Sequence, residues 1–167
     1  ELAARLGARS AEHLTKISPA GLAALASSDT IAVLLPATTF GLASREFAPA
    51  REMIDRGVAV ALATDFNPGS APSCSMPFAI AVACSQMRMT AAEAVNAATV
   101  NAAFAVGRGE RAGSLEKGKQ ADFVVYDVED YREIPSRAGT NHAVAVVKSG
   151  AVAWERPSFE AASEVGL

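Results

Sequence analysis

The stretch VAVALATDFNPGSAPS, Val58 to Ser73, decides how the rest is read. Its first six residues are apolar without alternation, which is the pattern of a strand buried on both faces. Thr64 and a lone carboxylate, Asp65, follow, and the chain then turns to proline, glycine and serine. A buried strand that ends on an acid and opens into an irregular loop is the layout of a ligand-binding rim in parallel α/β folds. The competing reading is plain: an aspartate there can also cap the turn that follows it.

Working back from Val58, the same grammar repeats. Pro49 opens a helix carrying Met53 and Ile54 that stops near Gly57. Before it, Thr30 to Leu35 is a second continuous apolar run, closed by Pro36, and Ala37 to Glu46 reads as a loop. Ser18-Pro19 supplies an N-cap and a first-turn proline for a helix bearing Leu22, Leu25 and Ala26. A short strand is expected around Arg9 to Ala11, after a helix that stops at Gly7. Strand, helix, strand, helix, strand with unalternating apolar strands predicts a parallel sheet joined by right-handed crossovers. The pattern suits an open α/β sheet or part of a (β/α)8 barrel.

Forward from Ser73, a helix is expected over Met76 to Met87. Another begins at Thr90, where Glu93 three residues on makes a capping box, and runs out near Gly107. Gly107-Arg108-Gly109 fits a helix stop better than a phosphate cradle. The character then changes. Gly113 to Lys119 is turn-rich, Ala121 to Tyr126 is a strand, and Ala143 to Lys148 with Ala151 to Trp154 makes a hairpin about Ser149-Gly150. The expected organisation is a partial (β/α) barrel over 1–110, a small β unit over 111–155, and a tail over 156–167.

Composition excludes several classes. Half of the 167 residues are hydrophobic and the net charge is −3, so no basic face for nucleic acid or an acidic membrane is expected. The apolar runs fall far short of a membrane span. The two cysteines, Cys74 and Cys84, read as reduced thiols, which points to the cytoplasm. There is no G-x-S-x-G elbow, no P-loop and no dinucleotide fingerprint.

Strand-end logic collects a small set of groups. Asp65 follows the third strand, Thr38 and Thr39 follow the second, and His13 follows the first. A carboxylate can hold a divalent metal or take a proton from water, and an imidazole can shuttle that proton. An ordinary, partly buried histidine bonded to backbone is the alternative for His13. His142, the other histidine of the chain, is expected to be structural or at the surface.

Gly113-Ser114-Leu115-Glu116-Lys117-Gly118-Lys119-Gln120-Ala121-Asp122 resembles the segment by which metal-dependent amidohydrolases pass from barrel to β domain. Thr99-Val100-Asn101-Ala102-Ala103 followed by Gly107 resembles the helix before it. Thr64-Asp65-Phe66-Asn67-Pro68-Gly69-Ser70, Ser10-Ala11-Glu12-His13-Leu14, Leu34-Leu35-Pro36-Ala37-Thr38 and Asn141-His142 resemble, more narrowly, the imidazolonepropionase family. The resemblance implies a (β/α)8 barrel with a β-sandwich made from both chain ends. It implies one divalent metal, zinc or iron, bound by Asp65, with His13 assisting proton transfer. Asn67, Gly69 and Ser70 match substrate-contacting positions. The implied reaction opens 4-imidazolone-5-propanoate to N-formimidoyl-L-glutamate in histidine degradation, in a cytoplasmic homodimer with no nucleic-acid or membrane partner. The family's H-x-H motif and its further metal histidine are absent, so the expected state is the C-terminal portion of such an enzyme, inactive alone. Another amidohydrolase acting on a cyclic amide or nucleobase, or a non-catalytic α/β domain, are the alternatives.

Overall fold

Two apolar runs closed by short polar segments pair side by side, and this pairing organises the N-terminal part of the chain. In the structure, a computed structural model describing residues 1–157, β1 (Ser10–Glu12), β2 (Ile31–Leu34) and β3 (Val60–Leu62) form a parallel sheet in the order β1-β2-β3. The register sets Glu12 opposite Val33 and Leu34 opposite Leu62. All three strands therefore end at one edge. The expected tail lies, from residue 158 on, outside the described residues.

Alternation assigns the two faces. Ala32, Leu34, Val60 and Leu62 pack against Leu22 and Leu25 of α2 (Pro19–Ala26) and Met53 of α4 (Ala50–Asp55). The same cluster takes in Ile80, Ala83 and Met87 of α5 (Met76–Met87) and Ala94 and Ala97 of α6 (Ala91–Ala98). On the opposite face Ile31, Val33 and Ala61 pack against Ala102 and Ala105 of α7 (Val100–Ala105). Leu34 is fully buried, and burying one such side chain contributes roughly 1.5–3 kcal/mol. Removing water from both faces is why these strands show no polar alternation.

Local chemistry sets the helix ends. Ser18 accepts from the Gly21 amide, and Ser75 from that of Phe78. Thr90 and Glu93 form the expected capping box. Two expectations need correction. The segment expected as a loop over Ala37 to Glu46 begins as a helix, α3 (Pro36–Gly41), because Pro36 occupies a first-turn position and presets its backbone angle. The helix expected from Thr90 to Gly107 is two helices, broken at Thr99, whose φ of −123° and ψ of −83° are not helical. The break lets α6 cover one face of the sheet while α7 crosses to the other, where Asn101 donates to the Val60 carbonyl at 2.7 Å. The short helix expected before Gly7 is present as α1 (Leu2–Arg5), and one short helix had no expected counterpart: α8 (Glu133–Ser136), which packs on α5.

The remaining strands form a separate antiparallel sheet, β4 (Phe123–Tyr126), β5 (Ala143–Lys148) and β6 (Ala151–Glu155), in that order. Ser149 and Gly150 carry φ of 53° and 80°, as a two-residue hairpin turn that matches strand twist requires. Phe123, Val124, Val125, Val152 and Trp154 stay 36–65% exposed, so this sheet lacks the double covering of the first. No helix among the described residues is long and apolar enough to cross a membrane.

One ion pair joins two of the covering helices. Arg51 on α4 meets Glu93 on α6 through two parallel hydrogen bonds of 3.0 Å, and Thr90 adds its amide to the same carboxylate. The Arg51 guanidinium, then the Thr90 amide, hold the Glu93 carboxyl at about 2, well below its usual 4.5. A depressed acid stabilises the fold fully above its unfolded value and loses that contribution as pH falls through its folded value. In acid titrations followed by circular dichroism, the chain is expected to lose this stability between pH 4.5 and about 2. Arg51→Met is expected to flatten that limb and to lower stability at neutral pH.

Candidate active site

The shared edge of the parallel sheet gathers the expected groups. His13 comes directly after β1, and its amide donates to the Val33 carbonyl at 3.0 Å. Thr38 lies in the first turn of α3, just beyond β2, and is 6% exposed. Asp65 lies three residues beyond β3. Thr38 Oγ1 donates to Asp65 Oδ2 at 2.7 Å, and His13 Nε2 stands 4.0 Å from the same oxygen. The carboxylate of Asp65 is about one-third exposed and the imidazole of His13 about half. The carboxylate is thus anchored by Thr38 on one side and open to solvent on the other, while the imidazole, among the described residues, is held through its backbone amide alone.

Two of these residues sit in strained backbone. His13 has φ of 64° and Asp65 has φ of 51°. At His13 the strain is a three-residue turn, closed by the Leu14 amide on the Glu12 carbonyl at 2.9 Å. Non-glycine residues held in such conformations cost of order 1–3 kcal/mol each and cluster at functional sites.

The loop after Asp65 is built around Asn67. Its Nδ2 donates to the Asp65 carbonyl at 2.7 Å and to Ser70 Oγ at 3.1 Å. Its Oδ1 accepts from the amides of Gly69 and Ser70, each at 2.9 Å. Asn67 and Ala71 close the loop as an isolated bridge. The side chain that caps this turn is therefore Asn67. The Asp65 carboxylate takes the Thr38 hydroxyl and leaves Oδ1 without a hydrogen-bond partner among the described residues. Both amide protons of Asn67 are already used inside the loop, so any ligand contact through them exchanges an existing bond. The Asx-turn preference of Asn-Pro-Gly-Ser is a sequence signal for this arrangement that the position of Asp65 overshadowed.

The other histidine is elsewhere. His142 belongs to the antiparallel unit, where its carbonyl accepts from the Asp127 amide at 2.8 Å. It is 8% exposed, and its Nε2 has no hydrogen-bond partner among the described residues. Cys74 and Cys84 are both free thiols, and burial pushes the Cys84 thiol up.

The donor set at the rim suits a divalent metal only in part. A carboxylate oxygen without a partner, steadied by a buried hydroxyl and facing solvent beside an imidazole, suits one position of such a site. Zinc sites use at least three protein ligands, and no group of three or more histidine, cysteine, aspartate or glutamate side chains comes together among the described residues. Asp65 fits a metal as one ligand of a larger set.

The chain matches the amidohydrolase family over residues 7–153. It is 50% identical over 155 residues to an imidazolonepropionase of Solibacter usitatus, covering 93% of this chain and 37% of that protein. It is 51% identical over 152 residues to an imidazolonepropionase of Geobacillus kaustophilus, covering 91% of this chain and 36% of that one. The chain thus spans little more than a third of the length of these curated relatives. Among solved structures, a zinc-bound adenosine deaminase from Xanthomonas campestris superposes with a TM-score of 0.81 at 27% identity, covering 96% of this chain and 42% of that one. The guanine deaminase of E. coli superposes with a TM-score of 0.75 at 18% identity, covering 89% and 39%, and shows the same fold. This chain belongs to the amidohydrolase family.

Proposed function

We propose that the chain forms the C-terminal part of an imidazolonepropionase, which hydrolyses 4-imidazolone-5-propanoate to N-formimidoyl-L-glutamate. The observation that carries this reading is the rim itself. Asp65 and His13 are fixed in strained backbone at the ends of the two strands that flank β2, inside a chain half-identical to proteins of that name. In this reading residues 1–110 are the last strands of a (β/α)8 barrel, and residues 111–155 are part of a β-sandwich. The exposed apolar side chains of β4 to β6 suit a sheet that gains a second layer. The parent enzyme is read as a cytoplasmic homodimer with a small-molecule substrate.

A divalent cation held partly by Asp65, zinc or iron, would polarise the ring carbonyl and make a nucleophile of water near neutral pH. This chain's own residues would handle the proton. Hydrolysis adds hydroxide to the ring carbonyl carbon, breaks the ring C–N bond and delivers a proton to the departing nitrogen. Asp65 accepts the proton released by water, and His13, 4.0 Å from Oδ2, passes it toward that nitrogen. The separation is longer than a hydrogen bond, as is common before substrate tightens a site. The loop from Asn67 to Ser70 holds the propionate end by exchanging amide and hydroxyl bonds now made inside the loop, and these groups add no second charge.

The test is a chimera in which this chain replaces the matched part of the Geobacillus kaustophilus relative. It is expected to hydrolyse the imidazolone, with Asp65→Asn lowering kcat by about 10³-fold or more, as loss of a metal ligand and proton acceptor together implies. The 167-residue chain alone is expected to show no turnover. Full activity of Asp65→Asn, or turnover by the chain alone, would contradict the reading. At His13 strain and function are expected to oppose each other. His13→Gly should unfold at higher denaturant concentration than His13→Ala, by about 1 kcal/mol, because glycine adopts positive φ freely. Both variants are expected to lose activity in the chimera.

A further inference from the structure

The groups at the rim are carried by strand ends, but one element touches both ends of the loop between Asp65 and Ala71. That element is α3, a helix of six residues. At its start the Thr38 hydroxyl, 6% exposed, donates to Asp65 Oδ2. At its end Gly41 lies so close to the loop that a Cβ built on it would fall 1.9 Å from the Ser70 carbonyl oxygen and 3.1 Å from its carbon. No side chain fits between them, and the obstacle is backbone, which cannot swing aside. The helix is itself held from behind. Phe40 meets Phe78 of α5 edge to face, with ring centroids 5.3 Å apart and planes at 83°. Pro36 fixes the backbone at the other end, where the Thr38 and Thr39 amides donate to the Leu35 carbonyl.

We infer that α3 is the platform that sets the active-site loop, with Thr38 and Gly41 as positioning residues acting on Asp65 and Ser70 respectively. The inference rests on the function proposed above for Asp65 and Ser70; it gives Thr38 a positioning role and adds Gly41, which the reading of strand ends does not supply. The two contacts do different work. Thr38 occupies Oδ2 and so turns Oδ1 outward as the oxygen offered to a ligand. It also donates to the charged carboxylate, a bond of the stronger, charge-assisted kind. Gly41 sets the distance between α3 and the loop. That distance fixes Ser70, whose amide is bound to Asn67 Oδ1 at 2.9 Å. Substitution at Thr38 therefore acts on what Asp65 holds, and substitution at Gly41 acts on what the loop holds.

The experiment uses three readouts. In the chimera, zinc affinity and steady-state kinetics are measured for Thr38→Val, Thr38→Ser and Gly41→Ala. Thr38→Val keeps the shape and removes the donor, and it is expected to weaken zinc about 10- to 100-fold, the usual effect of losing a partner of a metal ligand. Thr38→Ser restores the donor and is expected to restore zinc affinity. Gly41→Ala is expected to leave zinc affinity unchanged and to lower kcat/KM about 10²-fold through KM, as a displacement near 1 Å implies. In the 167-residue chain, amide hydrogen exchange at Asn67, Gly69 and Ser70 is followed without metal or substrate. Exchange is expected to quicken in Thr38→Val and Gly41→Ala and to stay slow in Thr38→Ser. If Gly41→Ala does not fold, the two Thr38 variants decide. Unchanged zinc affinity in Thr38→Val, no rescue by serine, or loop exchange that none of the variants alters would overturn the inference. An inactive parent chimera with the expected exchange pattern would instead fail the proposed function and leave the platform standing.

Discussion

The hydrogen bond from Thr38 to Asp65 joins the polar segments that follow two neighbouring parallel strands, and the geometry of the rim depends on it. It can form only because β2 and β3 run parallel and in register, Leu34 opposite Leu62, so that both strands end together. That register follows in turn from side chains that must be buried on both faces. A slip of one residue would carry Leu34 from the face covered by α2, α4, α5 and α6 to the face covered by α7, and take Thr38 out of reach of the carboxylate. Core packing and site chemistry are thus one constraint seen at two ends of the same strands.

The same constraint accounts for the strain. Two turns at positive φ, at His13 and Asp65, would together cost several kcal/mol in an isolated peptide. They persist here because each is held from several directions. His13 is pinned by its amide to β2, and Asp65 by Thr38 through its carboxylate and by Asn67 through its carbonyl. The parallel sheet supplies rigidity, and the loops spend part of it on directing an imidazole and a carboxylate toward one another. The antiparallel sheet, with its exposed apolar side chains, is held by strand pairing and contributes no group to this rim.

Much of the architecture was legible because it rests on patterns with a single physical meaning. The unalternating runs ending at Leu35 and Ala63, the Thr90–Glu93 capping box and the Ser149-Gly150 turn all took the form their residues dictate. What could not be read depended on contacts between segments distant in sequence. Thr99 interrupts a helix-forming run because α7 is drawn to the second face of the sheet by Ile31 and Ala61. Gly41 falls in a segment that reads as a loop, and only the approach of Ser70 shows why nothing larger fits there. At the rim, Asp65, His13 and Thr38 were legible from strand ends alone. The inward commitment of Asn67 was signalled only by the Asx-turn preference of Asn-Pro-Gly-Ser, which the carboxylate at Asp65 overshadowed.

The central claim is that Asp65 is held by Thr38 so that its free oxygen can bind a metal. It is tested most directly by the position of zinc in a crystal of the chimera, located by anomalous scattering at the zinc edge. The account predicts a peak about 2.0–2.2 Å from Asp65 Oδ1, with Oδ2 still accepting from Thr38. Zinc seated beyond the reach of Asp65, or bound through Oδ2 with the Thr38 bond broken, would contradict it.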